Sequence, residues 1–424
     1  MGKLIVISAD ALVYEDLRYM QQLPAMGYLL KNGSLVKRMK SVHPTLTYPC
    51  HATMRTGCYP EKHGVLHNTY MIPGEIDPAW MWYHEVLQCP DLFDACKCGG
   101  LVTASVGWPS TGKHPNIDYL VDEVAGLKVK TKEAFYGYYT STGTPQELYE
   151  EVVAKHIHIR YNQPDNVKLF NTEAACEIIR NKKPDLLLLH VGDPDSTRHK
   201  YGVFGKEVYP ALVDTDMLIG KILTAARESG EEYNIVVTAD HGQVDTTRYV
   251  YPNALLAQNG LIKTDDKGAV LDCKAWCHSS GMTTMVYLKD PSDTETYQKV
   301  KTIFEEKIAQ GDSGIYAIRT KQEAAADHLT GEFTFVLETD GHTAFGDDWH
   351  IGYERPHADG KLLGRHGYHP DIGPRPPFVG CGPAFRKGVV LEHGNLVDGA
   401  PTYAQVLGVE LPDVQGKALK ELLA

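Results

Sequence analysis

Three short segments of the chain are apolar almost without interruption, and each runs into acidic residues. Lys3-Leu4-Ile5-Val6-Ile7-Ser8-Ala9 leads to Asp10, and Leu186-Leu187-Leu188-Leu189-His190-Val191 leads to Asp193-Pro194-Asp195. Tyr233-Asn234-Ile235-Val236-Val237-Thr238-Ala239 leads to Asp240-His241-Gly242. Runs of this length with no polar alternation are the pattern of strands buried on both faces of a parallel sheet. Helical periodicity fills the spaces before the second and third, over Thr172 to Asn181 and Tyr209 to Ser229. Strands alternating with helices predict an α/β fold, a doubly wound and mostly parallel sheet flanked by helices.

The pattern changes between residues 244 and 355. Met282 to Leu288 and Phe333 to Leu337 are short alternating runs, separated by a helical stretch from Thr294 to Gln310. This composition predicts an inserted α+β lid subdomain at 244–355, with the catalytic α/β core formed by 1–243 and 356–424. Phe378-Val379-Gly380 supplies a further core strand after the insert.

Composition narrows the function classes. The 424 residues carry 42 Lys+Arg against 54 Asp+Glu, a formal net charge of -12. Stable nucleic-acid binding needs a basic footprint that this balance does not supply. The Leu186–Leu189 run is far shorter than the ~20 residues of a membrane span. The N-terminal apolar run is too short for a signal peptide, so the sequence reads as cytoplasmic and without a membrane partner. Nine irregularly spaced cysteines do not form a disulfide framework. Cys273, Cys277 and His278 lack the second ligand pair of a structural zinc site. Oligomeric state is not legible.

In doubly wound sheets ligands bind at the carboxyl ends of the strands, where the acidic residues fall. The candidate metal ligands are Asp10, Asp195, His199, Asp240, His241 and His366. Asp195 and His199 stand four apart, on one face of a helix if one starts there. His366 lies in the glycine-flanked Gly364-Arg365-His366-Gly367-Tyr368. Singly, each has an ordinary reading as a cap or a surface side chain, but their joint occurrence at strand ends points to a site. Mixed carboxylate and imidazole donors favour zinc, with manganese as the alternative, over magnesium or calcium. Thr47 precedes Pro49 and Gly57, which suit the start and end of a helix. Its hydroxyl would sit where helix amides attract an anion, as a nucleophile or as a mere cap.

The order His43-Pro44-Thr45-Leu46-Thr47-Tyr48-Pro49-Cys50-His51, then Thr56-Gly57-Cys58-Tyr59-Pro60-Glu61-Lys62-His63-Gly64, resembles the nucleotide pyrophosphatase/phosphodiesterase family of the alkaline phosphatase superfamily. The likeness continues through Pro194-Asp195-Ser196-Thr197-Arg198-His199-Lys200-Tyr201-Gly202, Asp240-His241-Gly242 and His366-Gly367-Tyr368. The resemblance implies an alkaline phosphatase-like core and two divalent metal ions. One would be bound by Asp195, His199 and His366; the other by Asp10, Asp240 and His241, beside Thr47. It implies a phosphothreonine intermediate, with Asn68 and the Tyr48 backbone amide stabilising the transition state and the Tyr48 ring packing on substrate. The substrate would be a small phosphate ester or nucleotide. Cys50 stands where the family often has Asn, and the disulfides and anchors of secreted animal members are missing here. Phosphonoacetate hydrolase-like or phosphomonoesterase activity is the alternative, for which Lys113 could supply the extra cation; a non-catalytic metal-binding protein is the second. His278, His328, His342 and His350 in the insert read as surface histidines.

Overall fold

The computed structural model describes residues 2–123, 131–162 and 166–424. Lys3–Ala9 lies between Leu186–Val191 and Tyr233–Thr238, both parallel to it. The large sheet has eight strands in the order Val390–Asn395, Ser34–Lys40, Phe378–Cys381, Tyr233–Thr238, Lys3–Ala9, Leu186–Val191, Thr103–Val106, Tyr119–Val121. Phe378–Cys381 runs antiparallel to both of its neighbours, and the remaining pairings are parallel. The fold is therefore the expected α/β sheet with an additional subdomain.

Side-chain alternation explains why the central strands carry no polar face. Ile5, Ile7, Leu187, Leu189, Ile235 and Val237 pack on one side, against the helices Pro24–Asn32, Val167–Lys182 and Val208–Glu228. Leu4, Val6, Leu186, Leu188 and Val236 pack on the other, with Met54, Phe93, Tyr403 and Leu407 from three further helices. Two buried layers demand apolar residues at odd and even positions alike.

The helix expected from Thr172 begins at Val167, because Phe170 and Asn171 are buried in its first turns although the segment reads as polar. Four strands of the sheet carry weak sequence signals. Ser34–Lys40 holds three cationic residues and alternates in burial, Thr103–Val106 and Tyr119–Val121 are very short, and Val390–Asn395 is a largely exposed edge. No helix among the described residues is long and apolar enough to cross a membrane.

Between Tyr233–Thr238 and Phe378–Cys381 the chain builds smaller sheets. The largest is antiparallel, in the order Ala275–Ser279, Thr283–Leu288, Phe335–Thr339, Ile315–Thr320. The Thr294–Ala309 helix closes its core, placing Val300 and Phe304 in a cluster with Trp276, Val286, Phe335 and Leu337. The turn between its first two strands presses on the core: a Cβ at Gly367 (φ +90°) would lie 1.5 Å from the Ser280 carbonyl oxygen. Only glycine fits that approach.

Asp195–Tyr201, the helix that begins with one candidate ligand and carries another, has seven residues. A helix of two turns is not stable alone. It is pinned by Arg198, fully buried, whose Nη2 donates to both Asp16 carboxylate oxygens at 2.7 and 2.6 Å. Removing the carboxylate leaves a buried guanidinium uncompensated. Asp16→Ala is expected to cost about 3–5 kcal/mol in a denaturant titration, and an unchanged midpoint would show that the helix is held by something else.

Candidate active site

The strand register sets the site. Ala9 is level with Val191, and Ser8 with Thr238, so the three chains leave the sheet side by side. The first residues beyond them are tied together: Asp10 N donates to the Val191 carbonyl (2.9 Å) and Asp195 N to the Asp10 carbonyl (3.0 Å). Ala11 N donates to Asp240 Oδ1 (3.2 Å). Backbone bonds thus gather three carboxylates from three distant parts of the sequence.

Thr47 is the first residue of the Thr47–Thr56 helix, which ends at Gly57 in the left-handed region (φ 67°). Its Oγ1 lies 3.3 Å from His241 Nε2. The same nitrogen is 3.2 Å from Asp240 Oδ2 and 3.7 Å from Asp10 Oδ1. Asp195 Oδ1 lies 3.7 Å from His366 Nε2, and its Oδ2 lies 3.3 Å from His199 Nε2. The His241 and His366 rings stack with centroids 4.0 Å apart. Candidate ligand atoms of Asp10, Asp240 and His241 all lie within 4.8 Å of one another, and so do those of Asp195, His241 and His366. His241 therefore reaches both groups, where the sequence assigned it to one. His199 joins the second group through Asp195.

The electrostatics of this cluster call for cations. Burial, then Asp240 and Asp195, push the Asp10 carboxyl well above its ordinary range. Asp10 Oδ1 and Asp240 Oδ2 are buried without hydrogen-bond partners among the described residues. Burial lowers the His241 pKa to about 4 and holds that of His366 well below the usual imidazole value, leaving the neutral form that ligates metals. His366 Nδ1 meets the Thr45 carbonyl at 3.1 Å and His199 Nδ1 the Gly364 carbonyl at 2.8 Å. At His366 the Thr45 carbonyl at Nδ1 fixes the tautomer that presents a bare Nε2, the arrangement found behind metal-bound histidines, whereas at His199 Arg365 Nη1 also stands 3.0 Å from Nδ1. Unpartnered carboxylate oxygens, neutral imidazoles and a mixed N/O donor set fit divalent metal cations.

Two sequence expectations are altered. The Tyr48 ring does not line an open subsite: the residue is fully buried with Ala52 and Val65, and half-buried Trp80 covers it at 5.4 Å. Its position in the first helical turn aims it at the protein interior. The Tyr48 amide, expected to face substrate, donates to Asn68 Oδ1 at 2.9 Å. The amino end of Asn68 is the donor that this arrangement leaves to offer. In the insert, His342 and His350 are exposed and His328 is partly so, but His278 is buried, its ring 4.2 Å from that of His67. It sits on a strand whose face abuts the core, which alternation alone cannot reveal.

Sequence reasoning passed over His190, His51 and Gln243. His190 Nε2 lies 3.1 Å from Asp10 Oδ2, which leaves Oδ1 to face His241. His190 is buried, which alone would lower its pKa, yet hydrogen bonds to Asp10 and Glu123 push it well above the usual value. His51 Nδ1 is 2.8 Å from the Thr47 carbonyl, and Gln243 Nε2 donates to Asp195 Oδ1. The position of His51, one helical turn after Thr47, was the available signal. His190 was hidden inside an apolar run.

A family model for type I phosphodiesterase/nucleotide pyrophosphatase matches residues 4–369. Human ectonucleotide pyrophosphatase/phosphodiesterase family member 1 is 24% identical over 256 residues, covering 57% of this chain and 24% of that protein. The chain thus spans about a quarter of the length of that relative. The mouse bis(5'-adenosyl)-triphosphatase is 24% identical over 421 residues, covering 96% of this chain and 78% of its own. Among solved structures, murine ectonucleotide pyrophosphatase/phosphodiesterase 5 superposes over 100% of both chains with a TM-score of 0.71 at 18% identity. An inactive form of it, with a threonine replaced by alanine and AMP bound, gives 0.70. With the family model covering most of its length, the chain belongs to the type I phosphodiesterase/nucleotide pyrophosphatase family of hydrolases.

Proposed function

We propose that this protein cleaves phosphoric diester or nucleotide pyrophosphate bonds by in-line displacement, with Thr47 as the nucleophile. The observation that carries the reading is the 3.3 Å approach of Thr47 Oγ1 to His241 Nε2, at a helix N-terminus beside two unpartnered carboxylate oxygens. A binding module has no use for a hydroxyl in that position. Asp10, Asp240 and His241, with Thr47, would hold one divalent cation, and Asp195, His199 and His366 a second. When bound, such cations ionise a coordinated hydroxyl and neutralise a departing oxygen.

The chain's own residues supply the rest. The Thr47 oxygen forms a bond to phosphorus as the bond to the leaving oxygen breaks, giving phosphothreonine. The Asn68 amino group donates to a phosphoryl oxygen whose charge grows in the transition state. The positive end of the Thr47–Thr56 helix dipole favours the same charge. Water then attacks phosphorus, and the Thr47 oxygen leaves. A nucleotide substrate is supported by the AMP bound to murine ectonucleotide pyrophosphatase/phosphodiesterase 5, and a threonine nucleophile by the inactivity of its threonine-to-alanine form. Lys113, the cation that a monoester or phosphonate site would recruit, is exposed, with its Nζ 4.7 Å from the Tyr83 ring centroid.

A bis-aryl phosphate diester is expected to turn over faster than the matching monoester and a phosphonate; the reverse order would move the assignment to the alternative activities. Thr47→Ala should lower kcat by at least about 10³-fold while elemental analysis finds the metal content unchanged. Retained turnover in that variant would remove Thr47 as nucleophile. Stripping with a chelator should abolish activity and lower the melting temperature, and zinc or manganese should restore both. At a free-metal concentration 100 times Kd the gain is about 2.7 kcal/mol per site, so a melting curve indifferent to metal counts against the site.

A further inference from the structure

A second polar cluster lies where the insert meets the core. His369 Nε2 is 3.1 Å from Asp327 Oδ2, and the His43 and His369 rings meet edge to face at 5.0 Å. His43, fully buried, has its Nε2 3.3 Å from Thr283 Oγ1 and 3.8 Å from Glu338 Oε1. His43, Asp327 and His369 are close enough to hold an ion. A cation already stands there: Arg319 Nη2 donates to the same Asp327 Oδ2, and its Nη1 to Glu338 at 2.9 Å. A metal ion would face that guanidinium at short range, so the cluster is closed by Arg319.

What the cluster grips gives it a role. Thr45 N and Oγ1 both donate to the Tyr368 carbonyl (3.2 and 2.9 Å), and Gly367 N donates to the Thr45 carbonyl at 2.8 Å. The 43–47 and 366–369 segments are thus bonded side by side. On the inner side, the His366 ring is oriented by the Thr45 carbonyl, and Thr47 faces His241. On the outer side stand His43 and His369, the two residues held by the insert. We infer that Arg319, Asp327 and Glu338 form a clamp which, through His369 and His43, positions His366 and Thr47 for metal binding and attack. The inference rests on the roles given to His366 and Thr47 above. It makes Asp327 and His369 positioning residues, because neither touches the reacting atoms. A bond behind a ligand is commonly worth 10–100-fold in metal affinity.

The test uses the full chain as wild type, Asp327→Asn, His369→Ala and His369→Gln. Zinc affinity is read by competition with a chromogenic chelator, and kcat and KM on the bis-aryl diester. The clamp predicts that Asp327→Asn and His369→Ala weaken zinc binding by about tenfold or more and lower kcat by about tenfold, with KM nearly constant. His369→Gln, whose amide nitrogen can replace the imidazole Nε2–H, should recover most of both. Wild-type zinc affinity and kcat in Asp327→Asn would overturn the clamp, and so would loss of a zinc equivalent from His369→Ala at saturating metal, which would make these residues ligands. If the wild type turns over no diester, the function proposed above fails while the zinc titration still decides the clamp. If His369→Ala does not fold, Asp327→Asn and His369→Gln decide it.

Discussion

The constraint on which this structure depends is the convergence of like charge at the ends of three parallel strands. Asp10, Asp195 and Asp240 are brought together by the sheet register and by backbone hydrogen bonds. Burial and their mutual repulsion push the Asp10 carboxyl upward, and two carboxylate oxygens have no hydrogen-bond partner among the described residues. A fold that builds such a concentration of negative charge must answer it. His190 answers part of it behind Asp10, and the neutral imidazoles of His241 and His366 are set where a cation would answer the rest.

The arrangement divides labour between core and insert. The core sheet supplies the carboxylates and fixes their spacing through rigid hydrogen-bonded strands, and the buried Thr47–Thr56 helix packs on that same core. The loops bearing Asn68 and His366, and the 43–46 segment that leads to Thr47, draw further support from the insert. Ser280 reaches His67, the neighbour of Asn68, with its Oγ 2.9 Å from His67 Nδ1, while Tyr287 meets His67 Nε2 at 3.1 Å. Arg319, Asp327 and Glu338 do the same for the segments carrying Thr47 and His366. Rigid backing of this kind is what keeps reacting groups within the small tolerance that displacement chemistry allows.

Much of this was legible in the sequence because the chemistry sits where the pattern is strongest. Apolar runs long enough to be buried on both faces announced the central strands, and the acidic residue beyond each marked the site. The helix that begins at Thr47 was legible from its proline and glycine punctuation, whereas a role for the Thr47 hydroxyl came only from the family resemblance. What the sequence hid was tertiary. The family resemblance set the Tyr48 ring against substrate, with a core aromatic as the ordinary reading, and helix phase turns it inward. His278 reads as a surface histidine by the ordinary preference of that residue, yet both faces of its strand are covered. His190 is indistinguishable from its leucine neighbours until Asp10 is placed beside it. The weakly marked strands, such as Ser34–Lys40, are ordered by sheet neighbours and not by local preference.

The carbonyl of Ser280 lies so close to Gly367 that no side-chain atom fits between them. Backbone against backbone leaves nothing to adjust by changing a rotamer. A new insert could be grafted onto this sheet only if its hairpin retraced the same path to within a fraction of an ångström. At this contact the insert is seated on the core by main-chain atoms, so its placement there does not depend on which side chains line the rest of the boundary.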